Sequence, residues 1–174
     1  MRINFDMDGT IADLYGIKNW LDYLLNENVY PYANAKPLVN MSKLARALNK
    51  AKRNGYEIAI ISWGCKNSTA EYLEAVKQAK IQWLKKHLPS VEWTEIIVVD
   101  YGTPKSTCGK GILFDDELHN LLEWGDNAYT PNNIFNVLAT LWVARRPGAD
   151  RRGRPPKKFL KKLKKVEKNA WQTF

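Results

Sequence analysis

The sequence is poor in cysteine and histidine and has no long hydrophobic run. It contains two cysteines and two histidines in 174 residues, which is too few cysteines for a disulfide framework. Neither Cys65 nor Cys108 has a catalytic signature around it, and no apolar run approaches the roughly 18 residues of a membrane-spanning helix. The N-terminus also lacks the pattern of a signal peptide. We therefore expect one cytoplasmic globular domain, with or without a tail, whose thiols are reduced.

The positive charge is concentrated near the C-terminus. The formal net charge is +9, from 27 basic and 18 acidic residues. Residues 144–168 contain 12 of the basic residues and two of the acidic ones. The remainder therefore has 15 basic and 16 acidic residues and is nearly neutral. This distribution predicts a near-neutral domain over 1–143 and a basic tail over 144–174, to which any charge-driven partner would bind.

Segments of strand and helix pattern alternate along the first 143 residues, without an internal repeat. This alternation predicts an α/β fold, a Rossmann-like three-layer α/β/α arrangement around a parallel sheet. Strands are expected near residues 3–5, 57–61, 96–99 and 112–114, with a short extended piece near 127–130. A short helix is expected within 14–30, with Trp20, Leu21, Leu24 and Leu25 on one face. A second is expected over 41–53, with Ser42 as its cap, and a third over 69–87, with Asn67 or Ser68 as its cap. Two more are expected over 117–124 and from Pro131 to about 143.

The first strand ends at two aspartates separated by one residue. Asp6 and Asp8 follow Ile3 and Phe5, and Gly9 allows the chain to turn directly after them. The same residues are also typical of an ordinary turn, since Asp and Gly are common turn residues. If the loop turns here, however, the two carboxylates share one site, where they can hold a divalent cation and attack an electrophilic phosphorus.

Polar residues also follow the later strands. Ser62 ends the second long strand, Asp115 and Asp116 follow the strand at 112–114, and Lys105 lies in the loop before it. The carboxyl ends of parallel strands meet at one edge of a sheet, so these side chains should converge. Four crowded carboxylates require a cation, and Mg²⁺ suits such an all-oxygen set. Ser62 and a lysine, Lys105 or alternatively Lys110, would bind phosphate oxygens.

This set of motifs resembles the haloacid dehalogenase superfamily of phosphotransferases over about residues 1–143. The segments around Asp6–Gly9, Lys105 and Asp115–Asn120 are most similar to 5'(3')-deoxyribonucleotidases and small phage-type nucleotidases. The resemblance implies a haloacid-dehalogenase-like fold, with a small cap insert at about 14–40 that lies beside the aspartates.

The resemblance also implies a role for each matching residue. Asp6 would be the nucleophile that forms an aspartyl phosphate, and Asp8 the general acid and then the base. Mg²⁺ would be held by Asp6, Asp8 through its backbone carbonyl, and Asp116, with Asp115 contributing directly or indirectly. The substrate and phosphate-binding residues would be Thr10, Ser62, Lys105 and Asn120, with Trp63 narrowing the phosphate pocket or stacking on a base.

The basic tail contains Arg152, Gly153, Arg154 and Pro155 between further basic residues. This segment resembles the AT-hook, whose extended Arg-Gly-Arg-Pro core enters a narrow A·T minor groove. A solvated basic tail with nonspecific affinity for polyanions is the alternative. The lysine-rich amphipathic segment from Phe159 to Phe174 could dock on the domain, lie on nucleic acid or meet an anionic membrane surface.

The sequence thus predicts a Mg²⁺-dependent phosphomonoesterase that acts on nucleoside monophosphates, with possible DNA binding through residues 144–174. Two alternatives remain open at this stage. One is a phosphatase that acts on the ends of nucleic acids, for which the tail would supply affinity. The other is a non-catalytic DNA-binding accessory protein whose phosphatase-like body is only a scaffold.

Overall fold

The computed structural model describes residues 1–141. Its elements, in chain order, are β1 (Arg2–Phe5), β2 (Ala12–Asp13), α1 (Trp20–Leu25), α2 (Tyr30–Asn34), β3 (Lys36–Pro37), α3 (Met41–Arg53), β4 (Glu57–Trp63), α4 (Ala70–His87), β5 (Glu95–Val99), β6 (Ile112–Phe114), α5 (Leu118–Trp124), β7 (Ala128–Tyr129) and α6 (Ile134–Leu141). Residues Met1–Phe135 form one compact unit, and a second unit begins at Asn136. None of the helices in the described range is long and apolar enough to cross a membrane.

The main sheet has five parallel strands in the order β5-β4-β1-β6-β7. Strand β1 is central, with Phe5 beside Ile60 of β4 on one side and Phe114 of β6 on the other. Residues Ile58–Ile61 of β4 have no exposed surface, as expected for a parallel strand covered on both faces. The predicted α/β fold with a parallel sheet is confirmed.

The predicted apolar face of α3 is also confirmed, because Leu44, Ala47, Leu48 and Ala51 are all buried. The predicted cap was wrong. The side chain of Asn40, not Ser42, accepts a hydrogen bond from the backbone N–H of Lys43 at 2.9 Å. Asn40 has the extended backbone that a helix cap requires, and the helix already begins at Met41.

The cap of α4 differs from the prediction in the same way. The Thr69 hydroxyl accepts from the N–H of Tyr72 at 3.2 Å. Asn67 has a φ of 57°, which places it in the left-handed region and not in the extended conformation of a cap. Ser68 instead donates its hydroxyl to the carbonyl of Cys65 at 2.9 Å. Both proposed residues therefore lie in the loop that precedes the helix, and neither caps it.

The segment between β1 and α3 forms a small insert whose two ends are paired. Strands β2 and β3 pair antiparallel, with Ala12 opposite Pro37, and α1 and α2 lie between them. Only Leu24 of the predicted apolar face of α1 is buried; Leu21 and Leu25 are exposed. The helix has six residues, so only a short stripe of its surface can contact the core.

Candidate active site

The polar side chains at the ends of β1 and β6 lie next to each other. The backbone N–H of Asp6 donates to the carbonyl of Phe114 at 2.9 Å, so Asp6 is held at the point where β6 ends. Asp115 follows directly and has no exposed surface. The carboxyl edge of the parallel sheet therefore places these two buried carboxylates together, as the sequence predicted.

A tight turn follows the first aspartate. Three successive N–H groups, of Thr10, Ile11 and Ala12, donate to the carbonyl of Met7. Gly9 has a φ of +73°, and a Cβ built at this position would overlap the carboxylate of Asp116. Glycine is thus needed here both for the backbone conformation and for the approach of Asp116.

Lys105 lies between two of the carboxylates. Its ammonium donates to Oδ1 of Asp6 at 2.7 Å and to Oδ2 of Asp115 at 2.6 Å, and the side chain is 1% exposed. Burial lowers the pKa of this lysine, Asp6 and Asp115 raise it, and the net direction is upward. Lys110, the alternative, is exposed. The structure therefore brings Lys105, and not Lys110, to the aspartates.

Three aspartates form a compact cluster. Asp6, Asp115 and Asp116 each offer a carboxylate oxygen, and these oxygens lie within 4.8 Å of one another. Burial, followed by the negative charge of Asp6, raises the pKa of Asp115 to about 6 and that of Asp116 to about 7. The positive groups of the protein therefore do not fully compensate the negative charges of these three carboxylates. An all-oxygen donor set of this kind fits Mg²⁺.

The side chain of Asp8 lies outside this cluster. The sequence analysis expects Asp8 to hold the metal through its backbone carbonyl, and a cluster of side-chain carboxylates does not test that expectation. The carboxylate of Asp8 accepts a hydrogen bond from Lys80 at 2.6 Å and is 15% exposed. Burial raises the pKa of Asp8 most, Lys80 opposes that change and Asp6 adds to it, so the net direction is upward. The side chain of Asp8 is therefore paired with Lys80 and is not part of the cluster of Asp6, Asp115 and Asp116.

Lys80 is the main residue that the sequence analysis missed. It lies in the middle of α4 and has no exposed surface. A signal was present in the sequence, because Lys80 follows Val76 by four residues and precedes Trp83 by three, and both are buried. A lysine at a position of the buried helix face requires polar partners in the interior.

Three other predicted site residues are fully or almost fully buried behind the carboxylates. Thr10 donates to Oδ1 of Asp116 at 3.1 Å, and Asn120 donates to Oδ1 of Asp115 at 3.1 Å. Ser62 accepts from Lys80 at 2.7 Å. The structure thus places each of them against a charged side chain of the site.

A cavity of about 350 Å³ opens beside the aspartates. Asp6, Asp8, Lys105 and Asp116 line its polar part. The other lining residues include five aromatic residues, namely Tyr15, Trp20, Tyr32, Trp63 and Tyr101. The indole N–H of Trp63 donates to the carbonyl of Thr103 at 2.8 Å, and its ring centroid lies 4.9 Å from that of Tyr101. The cavity therefore combines a cationic and acidic floor with flat apolar walls.

Comparison with known families agrees with this geometry. A family model described as "5' nucleotidase, deoxy (Pyrimidine), cytosolic type C protein" matches residues 23–136, more than half of the chain. The chain belongs to this 5'-nucleotidase family. It is accordingly a phosphoric monoester hydrolase, and the resemblance to the haloacid dehalogenase superfamily is confirmed. The matched range begins after β1, so it does not include Asp6 and Asp8.

Two solved structures show more distant similarity. D,D-heptose 1,7-bisphosphate phosphatase from Burkholderia thailandensis is 14% identical with a TM-score of 0.41, over 70% of this chain and 69% of that one. A structural-genomics target from Vibrio cholerae is 19% identical with a TM-score of 0.35, over 79% of this chain and 96% of that one. Both are too distant to assign a property to the nucleotidase. No curated protein matches the chain.

The insert of this nucleotidase is attached to the start of α4. The carboxylate of Glu27 accepts from the backbone N–H of Thr69 at 2.9 Å and from its hydroxyl at 3.1 Å. The Tyr72 hydroxyl donates to the carbonyl of Asn28 at 3.1 Å. Leu14, Leu24 and Tyr32 of the insert are buried together with Tyr72 and Val76 of α4. The wall of the cavity that the insert supplies is therefore tied to the core by both polar and apolar contacts.

The predicted nucleic-acid residues Arg152, Gly153 and Arg154 lie outside the described residues.

Proposed function

We propose that this nucleotidase is a Mg²⁺-dependent, cytoplasmic enzyme that hydrolyses deoxynucleoside monophosphates through an aspartyl phosphate on Asp6. The observation that carries the proposal is the placement of Asp6 on the floor of the aromatic cavity, with Oδ1 bonded to Lys105. No hydrogen bond among residues 1–141 uses its other oxygen, Oδ2, which suits that oxygen for attack on phosphorus.

In the proposed first step, a carboxylate oxygen of Asp6 attacks the phosphorus of the substrate. The bond between phosphorus and the ester oxygen breaks, and Asp8 gives its proton to that oxygen, so the nucleoside leaves as an alcohol. In the second step, the Asp8 carboxylate takes a proton from water while the water oxygen attacks the same phosphorus, and the bond between phosphorus and the Asp6 oxygen breaks. Inorganic phosphate is released, and Asp6 and the protonated Asp8 are regenerated.

The cation held by the three clustered aspartates, together with Lys105, would compensate negative charge during both steps. Asp6 and Asp116 would hold Mg²⁺ with Asp115, which is positioned by Lys105, Asn120 and the N–H of Glu117. The ion would supply charge neutralisation for the phosphoryl group. Lys105 would keep Asp6 oriented and offset the negative charge that accumulates on the phosphate oxygens.

The aromatic walls support a nucleotide substrate. A cavity of about 350 Å³ lies within the size range of small-molecule sites. Trp63 and Tyr101 offer ring faces on which a base can stack. The family description names deoxy and pyrimidine substrates, and we extend both to this chain as part of the proposal.

The experiment that tests the proposal is phosphate release from a panel of substrates with Mg²⁺. The panel contains the deoxynucleoside and ribonucleoside monophosphates, sugar phosphates, and oligonucleotides phosphorylated at the 5' or 3' end. Preference for deoxynucleoside monophosphates is the expected result. Preference for the oligonucleotides would favour the end phosphatase, and no release from any compound would contradict catalysis.

Replacement of Lys105 should show which of the two candidate lysines, Lys105 or Lys110, acts in catalysis. Lys105→Met removes the cation between Asp6 and Asp115, so kcat should fall about 100-fold or more. Lys110→Met is the matched control, because Lys110 is exposed, and it should retain kcat within about twofold. Steady-state phosphate release on both variants, after a thermal melt shows that each is folded, makes the comparison. A larger loss in the Lys110 variant would reverse the assignment.

The basic tail supports DNA as a second partner. Residues 144–168 carry 12 basic and two acidic residues, so removal of everything after Val143 should abolish duplex binding at low salt. If Arg152–Arg154 enters a minor groove, the full chain should prefer A·T-rich over G·C-rich duplex. Gly153→Glu should then remove that preference.

Fluorescence anisotropy with the two duplexes at matched salt measures these affinities. The same samples are assayed for mononucleotide hydrolysis, which truncation should leave intact. Undiminished duplex affinity after truncation would show that the tail is not the DNA-binding segment. Loss of hydrolysis in a folded truncation would make the tail part of the active site.

A further inference from the structure

Lys80 is the one fully buried lysine in residues 1–141 that does not contact the cluster of Asp6, Asp115 and Asp116. Its ammonium donates to Oδ2 of Asp8 at 2.6 Å, to Oγ of Ser62 at 2.7 Å and to the carbonyl of Trp63 at 2.8 Å. An ammonium has three N–H donors, so this set uses all of them. Lys80 is therefore fixed in one position by the end of β4 and by the loop after β1.

The contacts of Lys80 determine which oxygen of Asp8 is available. Lys80 occupies Oδ2, while the side chain of Asp8 also lines the cavity. Asp8 is absent from the group of carboxylates whose oxygens lie within 4.8 Å of one another, which consists of Asp6, Asp115 and Asp116. The lysine thus holds the carboxylate of Asp8 apart from that group, and Oδ1 of Asp8 accepts no hydrogen bond from residues 1–141.

The two buried lysines consequently hold different aspartates. Lys105 joins Asp6 and Asp115, and Lys80 holds Asp8. Without Lys80, a carboxylate next to an incoming cation would be drawn toward it, because the charge is opposite and the distance short. An Asp8 bound to the cation could not deliver a proton to the leaving group.

We propose that Lys80 is a positioning residue that keeps the carboxylate of Asp8 out of the metal site and oriented toward the ester oxygen of the substrate. This inference rests on the proposed function, in which Asp8 protonates the leaving group. It adds a residue of α4 to the site.

The test uses two substrates that differ in their need for an acid. A deoxynucleoside leaves as an alkoxide and needs a proton, whereas p-nitrophenolate is stable without one. The ratio kcat/KM reports the first step alone. For Lys80→Met we expect kcat/KM for deoxyuridine monophosphate to fall about 100-fold and that for p-nitrophenyl phosphate to fall less than about threefold.

Two further variants sharpen the comparison. Lys77→Met removes a lysine from the exposed side of the same helix and should leave both ratios unchanged. Lys80→Met in an Asp8→Asn background should add no further difference between the substrates, because the acid is already absent. Lys80→Gln keeps amide donors and provides a second variant should the methionine variant fail to fold.

The outcomes are distinct. Equal losses of kcat/KM on both substrates would show that Lys80 only stabilises the fold. Unchanged kcat/KM on both would show that Asp8 does not need Lys80. Either result overturns the inference while the proposed function stands. A wild-type protein that hydrolyses neither substrate would instead overturn the proposed function, and the role of Asp8 as an acid with it.

Discussion

Replacing Asp6 with asparagine should reduce kcat by at least about 1000-fold. The amide has nearly the shape of the carboxylate and can still accept a hydrogen bond from Lys105. It lacks the anionic oxygen that attacks phosphorus, so the covalent intermediate cannot form. Initial rates of phosphate release from the preferred deoxynucleoside monophosphate measure the effect.

Asp126→Asn is the matched control for this prediction. It makes the same chemical change at an exposed position of the same compact unit, and it should leave kcat unchanged. Rapid quenching of the wild type with radiolabelled substrate should trap phosphate on the protein, and the Asp6→Asn variant should trap none. Near-wild-type turnover of the variant would rule out an aspartyl phosphate at this position.

Removing the cation should abolish activity in the wild type, and removing one carboxylate should weaken the binding of the cation. EDTA should reduce phosphate release to background. Asp116→Ala deletes one of the three clustered carboxylates, so activity should fall and recover in part at high Mg²⁺ concentration. Full activity in EDTA would contradict a metal site at these aspartates.

The affinity for Mg²⁺ should also depend on pH. Burial and the charges of Asp6 and Asp115 raise the pKa of Asp116 to about 7. As the pH falls through that value, the ion-free protein gains a proton on this carboxyl, and Mg²⁺ must displace the proton to bind. Mg²⁺ should therefore raise the melting temperature more at about pH 8 than at about pH 6. The Asp116→Ala variant should show a smaller pH dependence, and an equal response would contradict the explanation.

The order of elements could be predicted because each depends on local patterns. The run of apolar residues at 57–61, the helical spacing of Leu44, Ala47, Leu48 and Ala51, and the apolar residues at 112–114 each specify one element. Parallel strands then force Asp6 and Asp115 to one edge of the sheet. The proximity of Lys105 to both aspartates follows from the same edge.

The contacts of Lys80 could not be predicted in this way. Whether a lysine on a helix is solvated or buried depends on which helix face packs on the sheet and on the partners found there. Its partners Asp8 and Ser62 are 72 and 18 residues distant in sequence. The predictions of the helix caps were wrong for a different reason. Several neighbouring residues have side chains that can cap a helix, and only the backbone conformation selects among them. They are Asn40 and Ser42 before α3, and Asn67, Ser68 and Thr69 before α4.

The attachment at Glu27 has a consequence for how the insert can change in evolution. Glu27 lies in the insert and bonds to Thr69, the residue that caps α4, and α4 also carries Lys80. A recombination event that exchanges the insert alone would leave the Thr69 N–H without its carboxylate partner. Positions 27 and 69 are therefore expected to be inherited together, so that substrate preference diversifies through substitutions within the insert more readily than through its replacement.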